Sequence, residues 1–215
     1  KEAYAEYKLL MLEENIVKIE EIIAKTLLTP EKGPRLYELY ALNTIILGFI
    51  EYSGKINPFR NTGKEFAKFD LNHKGENIRV LVYYNTLPDE FQGAVYPKLK
   101  SKYFPKDNQD ESSEVSRRPD IVIEYQMENG SKKYLILEVK FSNSKTYIKE
   151  SMYKVLGYLY DFYYGNKDLE SKRAILLVYS WDEQDLSEDA KGNQIIMLNY
   201  SNYKDQIKGI ILDSI

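Results

Sequence analysis

Pro119-Asp120-Ile121-Val122-Ile123-Glu124-Tyr125 and, beyond Asn129-Gly130, Tyr134-Leu135-Ile136-Leu137-Glu138-Val139-Lys140-Phe141 are the segments whose reading decides the fold. In the second, Leu135, Leu137, Val139 and Phe141 alternate with Tyr134, Ile136, Glu138 and Lys140, the period-two signature of a pleated strand. Glu138 and Lys140 therefore share a face, roughly 7 Å apart at strand rise. A carboxylate and an ammonium on a largely apolar strand are costly unless paired or bound to something.

The connection between the two strands decides whether Asp120 joins that pair. Asn129-Gly130 is a hairpin signal. A two-residue turn would set Ile121 opposite Glu138 and send Asp120 to the other face. A three-residue loop, Glu128-Asn129-Gly130 with Gly130 left-handed, sets Met127 opposite Ser131 and Asp120 opposite Glu138. The second register also keeps Ile121, Ile123 and Tyr125 on the face of Leu135, Leu137 and Val139, and it is the one expected.

Two carboxylates facing each other repel unless a proton or cation lies between them. Oxygen ligands of this kind suit a hard cation, Mg²⁺ or Mn²⁺. A neighbouring Lys140 can hold a water or offset charge developing on a phosphate. The plain rival is an ion-pair ladder across a surface hairpin, with Asp120 as a strand-start residue.

The surrounding order of elements weighs against that rival. Arg35 to Ile50 is apolar on nearly every side and reads as a buried helix after Pro34. A strand over Ile78 to Tyr84 precedes the hairpin. A helix from about Thr146 to Tyr164 follows, with Ile148, Met152, Val155, Leu159 and Phe162 at three-four spacing, and then a strand over Ala174 to Tyr179. Ile195 to Leu198 reads as an edge strand and Tyr203 to Leu212 as a closing helix. The chain is thus α/β, with an α-β-β-β-α-β core.

This order, with Pro119-Asp120 and Glu138-Val139-Lys140, resembles the PD-(D/E)xK nuclease superfamily over roughly residues 33 to 179. Leu36-Tyr37-Glu38-Leu39-Tyr40 and Tyr153-Lys154-Val155-Leu156-Gly157-Tyr158 add to the likeness, which is greatest to McrC-type nuclease subunits of modification-dependent restriction systems. The resemblance implies a restriction-endonuclease-like fold, a mixed central sheet flanked by helices, and a metal-dependent deoxyribonuclease of a restriction or phage-defence system. It implies that Asp120, Glu138, the Val139 carbonyl and Glu38 hold Mg²⁺ or Mn²⁺, with Lys140 orienting the attacking water. Lys154, Tyr158, Lys145 and Arg118 become candidate DNA contacts. Each has a bland rival: Glu38 as a helix-dipole partner, Tyr158 as packing, the lysines as solvated charges.

Composition sets the outer limits. The 215 residues amount to one domain over 33–215 with a helical segment over 1–32, where Leu9, Leu12, Ile16, Ile19 and Ile23 recur. The start at Lys1, without a targeting pattern, is expected of a piece of a longer protein. Absence of cysteine removes disulfides and thiolate metal sites and fits a cytoplasmic setting. The one histidine, His73, reads as a loop residue, which argues against histidine-based nucleases and Ser-His-Asp hydrolysis. No apolar stretch is long enough to span a membrane. No Walker loop is present, so an NTP-driven motor would be another domain or subunit. Net charge is −3, so DNA attraction would be local, through Lys98, Lys100, Lys102, Lys106, Arg117, Arg118, Lys145, Lys149 and Lys154. A DNA-repair nuclease and a non-catalytic docking module of the same fold remain as alternatives.

Overall fold

The computed structural model of the chain describes residues 33–53, 64–93, 102–103, 118–164, 173–180 and 195–215. The segment over 1–32, the acidic stretch over 106–116, and Lys98, Lys100, Lys106 and Arg117 lie outside them. The described elements are α1 (Gly33–Ser53), β1 (Ala67–His73), β2 (Glu76–Tyr84), β3 (Ile121–Met127), β4 (Lys132–Lys140), α2 (Lys145–Tyr164), β5 (Arg173–Val178), β6 (Ile195–Asn199) and α3 (Tyr200–Asp213), with a 3-10 turn over Asp89–Gly93.

The six strands form one mixed sheet in chain order. The first three pairings are antiparallel, whereas β4–β5 and β5–β6 are parallel. A parallel neighbour requires a crossover, and α2 supplies it between β4 and β5. Helices cover both faces. Tyr37, Ala41, Leu42, Ile45, Ile46 and Phe49 of α1 and Tyr203, Ile207 and Ile211 of α3 pack on Ile121, Ile123, Tyr125, Leu135 and Leu137. On the opposite face Ile148, Val155, Tyr158 and Leu159 of α2 pack on Val122, Tyr134, Ile136 and Leu176. The α1–α3 crossing is tight: a Cβ on Gly48 would come within 3.1 Å of Ile211 Cδ1. Tyr203 Oη donates to the Ala41 carbonyl at 2.9 Å, tying the two helices across a buried contact.

The hairpin adopts the three-residue loop. Gly130 has φ of 83°, Met127 N–H donates to the Ser131 carbonyl at 2.9 Å, and Ile121 pairs with Leu137. Counting back one residue sets Asp120 opposite Glu138. The β4 ladder runs from Lys132 to Lys140, so Phe141 falls just past the strand and is exposed.

Three sequence expectations need correction. A further strand, β1, precedes the expected three; its residues Ala67, Phe69 and Leu71 point to the α1 face. His73 is the last residue of β1 rather than a loop residue, and its Nδ1 hydrogen-bonds Tyr52 Oη at 2.7 Å. The turn that closes this hairpin uses positive φ at both Lys74 (52°) and Gly75 (89°), a geometry matched to strand twist but poorly signalled by Lys-Gly. Met152 lies outside the buried stripe of α2, which runs instead through Ile148, Ser151, Val155, Tyr158 and Leu159. Ser151 Oγ bonds the Tyr147 carbonyl at 2.8 Å, so a serine can sit on the packed face. The Phe162 side chain lies outside the described residues. Among the described residues, no helix is long and apolar enough to cross a membrane.

A Cβ at Gly130 would touch nothing within 4 Å, so Gly130→Ala isolates the cost of the left-handed backbone. The substitution should destabilise the fold by about 1 kcal/mol, read from urea unfolding; a midpoint equal to the parent's would contradict the three-residue loop.

Candidate active site

The site lies at the end of the sheet where β3 begins and β4 finishes. Asp120 precedes the first ladder residue of β3, yet it is held as firmly as a strand residue. Its carbonyl accepts the Asn85 N–H at 2.9 Å, and its Oδ2 accepts the Val139 N–H at 2.7 Å. Two residues earlier, the Arg118 carbonyl accepts the Tyr158 hydroxyl at 2.9 Å. The approach to the carboxylate is therefore strapped to β2, β4 and α2.

Glu138 is 0 % exposed, and two ammonium groups share one of its oxygens: Lys140 Nζ at 2.5 Å and Lys154 Nζ at 2.6 Å from Oε1. Lys140 also lies 3.7 Å from Asp120 Oδ2. Through that shared lysine the two carboxylate oxygens are at most roughly 6 Å apart, within the range where one charge shifts another's pKa. The expected cluster of Asp120, Glu138 and Lys140 is thus brought together. It is largely buried, which sets aside the surface-ladder rival.

A second buried acid shows what is unusual about Glu138. Glu124, on the same sheet face, has both oxygens partnered: Oε1 by Gln126 Nε2 at 2.8 Å and Lys132 at 2.9 Å, Oε2 by the Tyr83 hydroxyl at 3.1 Å. Such closure is the usual condition of a structural buried carboxylate. Glu138 Oε2, by contrast, is buried with no hydrogen-bond partner among the described residues. An unmatched buried acceptor of this kind costs about 1–3 kcal/mol or more, and a bound cation or water would relieve it.

Electrostatics point the same way. Burial, then the charge of Glu138, pushes the Asp120 carboxyl up to about 7 against the opposing pull of Lys140 and the Val139 N–H; the charge of Glu38 adds to the rise. For Lys140, burial favours the neutral amine, but Glu138 and Asp120 outweigh it and the pKa is raised. Lys140 is therefore an ammonium at neutral pH in this state. Such a group orients water or offsets negative charge; it does not abstract a proton.

Glu38 reaches the area from α1, close enough for its charge to act on Asp120. The Tyr84 hydroxyl donates to Glu38 Oε2 at 3.1 Å. Burial and the Glu38 charge raise the Tyr84 pKa, so this donor stays protonated. Tyr84 escaped the sequence reading, although its place at the end of β2, paired with Ile121, makes it a neighbour of Asp120. Among the described residues no three His, Cys, Asp or Glu side chains gather closely enough to hold a metal by themselves. The oxygens that could hold one are Asp120, Glu138 Oε2 and the Val139 carbonyl, which accepts Lys140 Nζ at 3.1 Å, while Glu38 is held by Tyr84. That set suits Mg²⁺, which keeps several waters and takes one or two carboxylates from the protein.

The candidate DNA contacts separate. Lys154 is engaged with Glu138, and its Nζ stands 5.5 Å from the centre of the Tyr158 ring. Tyr158 is buried and acts through its hydroxyl on Arg118. Lys145 is exposed at the first residue of α2. Arg118 is half-buried, with a buried Nε that has no hydrogen-bond partner among the described residues. No family model matches this chain, and no match was found among curated proteins or solved structures.

A raised carboxyl pKa means that the folded state binds a proton more tightly than the unfolded chain. Asp120 therefore costs stability progressively as pH rises from its ordinary value of 3.8 towards about 7. Asp120→Asn keeps an acceptor for the Val139 N–H without the charge. Its melting temperature should match the parent's near pH 4 and exceed it by about 2–4 °C or more at pH 8. Equal melting temperatures at both pH values would contradict the electrostatic account.

Proposed function

We propose that residues 33–215 form a metal-dependent nuclease domain of the PD-(D/E)xK type, which hydrolyses DNA phosphodiesters within a restriction or phage-defence system. The observation that carries this reading is the juxtaposition of Asp120 and Glu138 across β3 and β4, with a buried Glu138 oxygen lacking a partner and a charged lysine on the same strand. The α-β-β-β-α-β order of a restriction-endonuclease-like core is contained in the observed element order, extended by β1 at one edge and by β6 and α3 at the other.

In this mechanism Asp120, Glu138 Oε2 and the Val139 carbonyl would hold a divalent ion, which when bound would supply charge neutralisation at the phosphate and a lowered pKa for the attacking water. Lys140, as an ammonium, orients that water and offsets charge on the phosphate. Glu38, held by the Tyr84 hydroxyl, adds negative charge beside Asp120 from the α1 side. Lys154 balances Glu138 until substrate arrives and then becomes available to a phosphate. A DNA substrate and a cysteine-free chain both fit the cytoplasm. A motor that delivers DNA would be a separate domain or subunit.

One feature favours a second reading, a docking module without catalysis: Lys140 and Lys154 already neutralise Glu138. A cleavage assay separates the two. Supercoiled plasmid, methylated and unmethylated, should be nicked or linearised with Mg²⁺ or Mn²⁺ and spared in EDTA. Asp120→Asn, Glu138→Gln and Lys140→Ala should each lower the rate by at least about 100-fold. Uncut plasmid and uncut single-stranded DNA under every metal condition, with a folded protein, would leave the docking module as the better account.

A further inference from the structure

Three aromatic side chains lie exposed together on the α1 side of the sheet, at the end where β4 and β5 finish. Phe141 is 41 %, Tyr179 46 % and Tyr200 48 % exposed. The Phe141 and Tyr179 rings are 4.6 Å apart between centroids, and Tyr179 and Tyr200 are 6.1 Å apart. All three converge on the buried ring of Tyr37, at 5.8, 5.9 and 6.1 Å, whose hydroxyl donates to the Val178 carbonyl at 2.7 Å. The rings are thus mounted on a fixed base rather than on loose loop ends. Single exposed aromatics are ordinary, but a contiguous, rigidly seated set marks an interaction surface.

Its link to the site runs through the backbone of Lys140. Phe141 is the residue after Lys140, and the Tyr179 N–H donates to the Lys140 carbonyl at 3.0 Å. Lys204, exposed on α3, lies four residues after Tyr200, on the same side of the helix, where an ammonium can meet a backbone phosphate. Aromatic rings next to a cation are the parts of a surface that stacks nucleobases while holding the strand between them. In a duplex the base faces are covered by one another, so only unpaired bases offer a face to such rings.

We infer that Phe141, Tyr179 and Tyr200 form a base-stacking platform, and that the substrate enters the site as a single strand or as an unpaired segment of DNA. The inference rests on the nuclease reading for its substrate and refines it by choosing the strand form. The platform holds one or two unpaired bases on the α1 side while the strand continues past the end of β4 towards Lys140. The aromatic selectivity is for base faces, so it carries little sequence preference.

The test is fluorescence anisotropy of the full chain with a labelled oligothymidylate, and with a duplex of equal length, in EDTA so that nothing is cut. The parent should bind the single strand more tightly than the duplex. Tyr179→Ala and Tyr200→Ala should each weaken single-strand binding by roughly 5- to 150-fold, leave duplex binding unchanged, and melt like the parent. Tyr179→Phe, which keeps the ring, should bind like the parent; should Tyr179→Ala not fold, Tyr179→Leu and Tyr200→Ala carry the test. Equal affinity for duplex, no single-strand binding by the parent, or alanine variants with parental affinity would overturn the platform. So would variants that convert a dimer to a monomer in sedimentation without changing DNA affinity, which would make the rings a self-interface. Ring-dependent binding by a protein that cuts no DNA would sink the nuclease reading alone; metal-dependent cutting with ring-independent binding would sink the platform alone.

Discussion

Gly130, at φ of 83°, lets three residues rather than two close the β3–β4 hairpin, and that choice sets which side chains share a face along both strands. A slip of one residue would carry Asp120 to the α1 side and turn Ile121, Ile123 and Tyr125 away from the core they complete with Leu135 and Leu137. Each of these side chains contributes about 1.5–3 kcal/mol by burial, so the set is worth on the order of 10 kcal/mol. Two carboxylate charges at about 6 Å repel by only about 3 kcal/mol at an effective dielectric of 20. The apolar alternation wins, and the core holds together an acidic pair that electrostatics alone would separate.

That imbalance is what the proposed cation would relieve. The chain partly compensates with its own ammonium groups, but Lys140 and Lys154 both settle on the same Glu138 oxygen. The other oxygen stays bare in the interior, and Asp120 bears the remaining strain as a carboxyl held up to about 7. Glu124, an equally buried acid on the same sheet, has no such residue of unmet demand because Tyr83, Gln126 and Lys132 cover both its oxygens. The difference between a closed network and an open one separates a structural acid from a candidate ligand.

Much of this was legible in the chain. Period-two alternation in β3 and β4 and the Glu128-Asn129-Gly130 loop were enough to place Asp120 beside Glu138, because a buried two-faced strand tolerates only one register. The dense apolar run of α1 was equally readable. β1 was not: Lys68, Asp70 and Asn72 on its outer side and the Lys74-Gly75 turn give the segment a polar cast, and only its pairing with β2 reveals the strand. The roles of Tyr84, Lys154 and Tyr158 depend on contacts between residues 16 to 46 positions apart, for which no local pattern exists. Likewise Phe141, Tyr179 and Tyr200 meet only because β4 and β5 end, and α3 begins, at the same end of the sheet.

The central claim is that Asp120 and the unpartnered Glu138 Oε2 form a divalent-cation site. Isothermal titration of Mn²⁺ into the full chain at pH 7.5 tests it without reference to any substrate. The account predicts saturable binding in the parent that is lost in Glu138→Gln, with the variant otherwise folded. No saturable heat in the parent, or binding that survives Glu138→Gln unchanged, would contradict it.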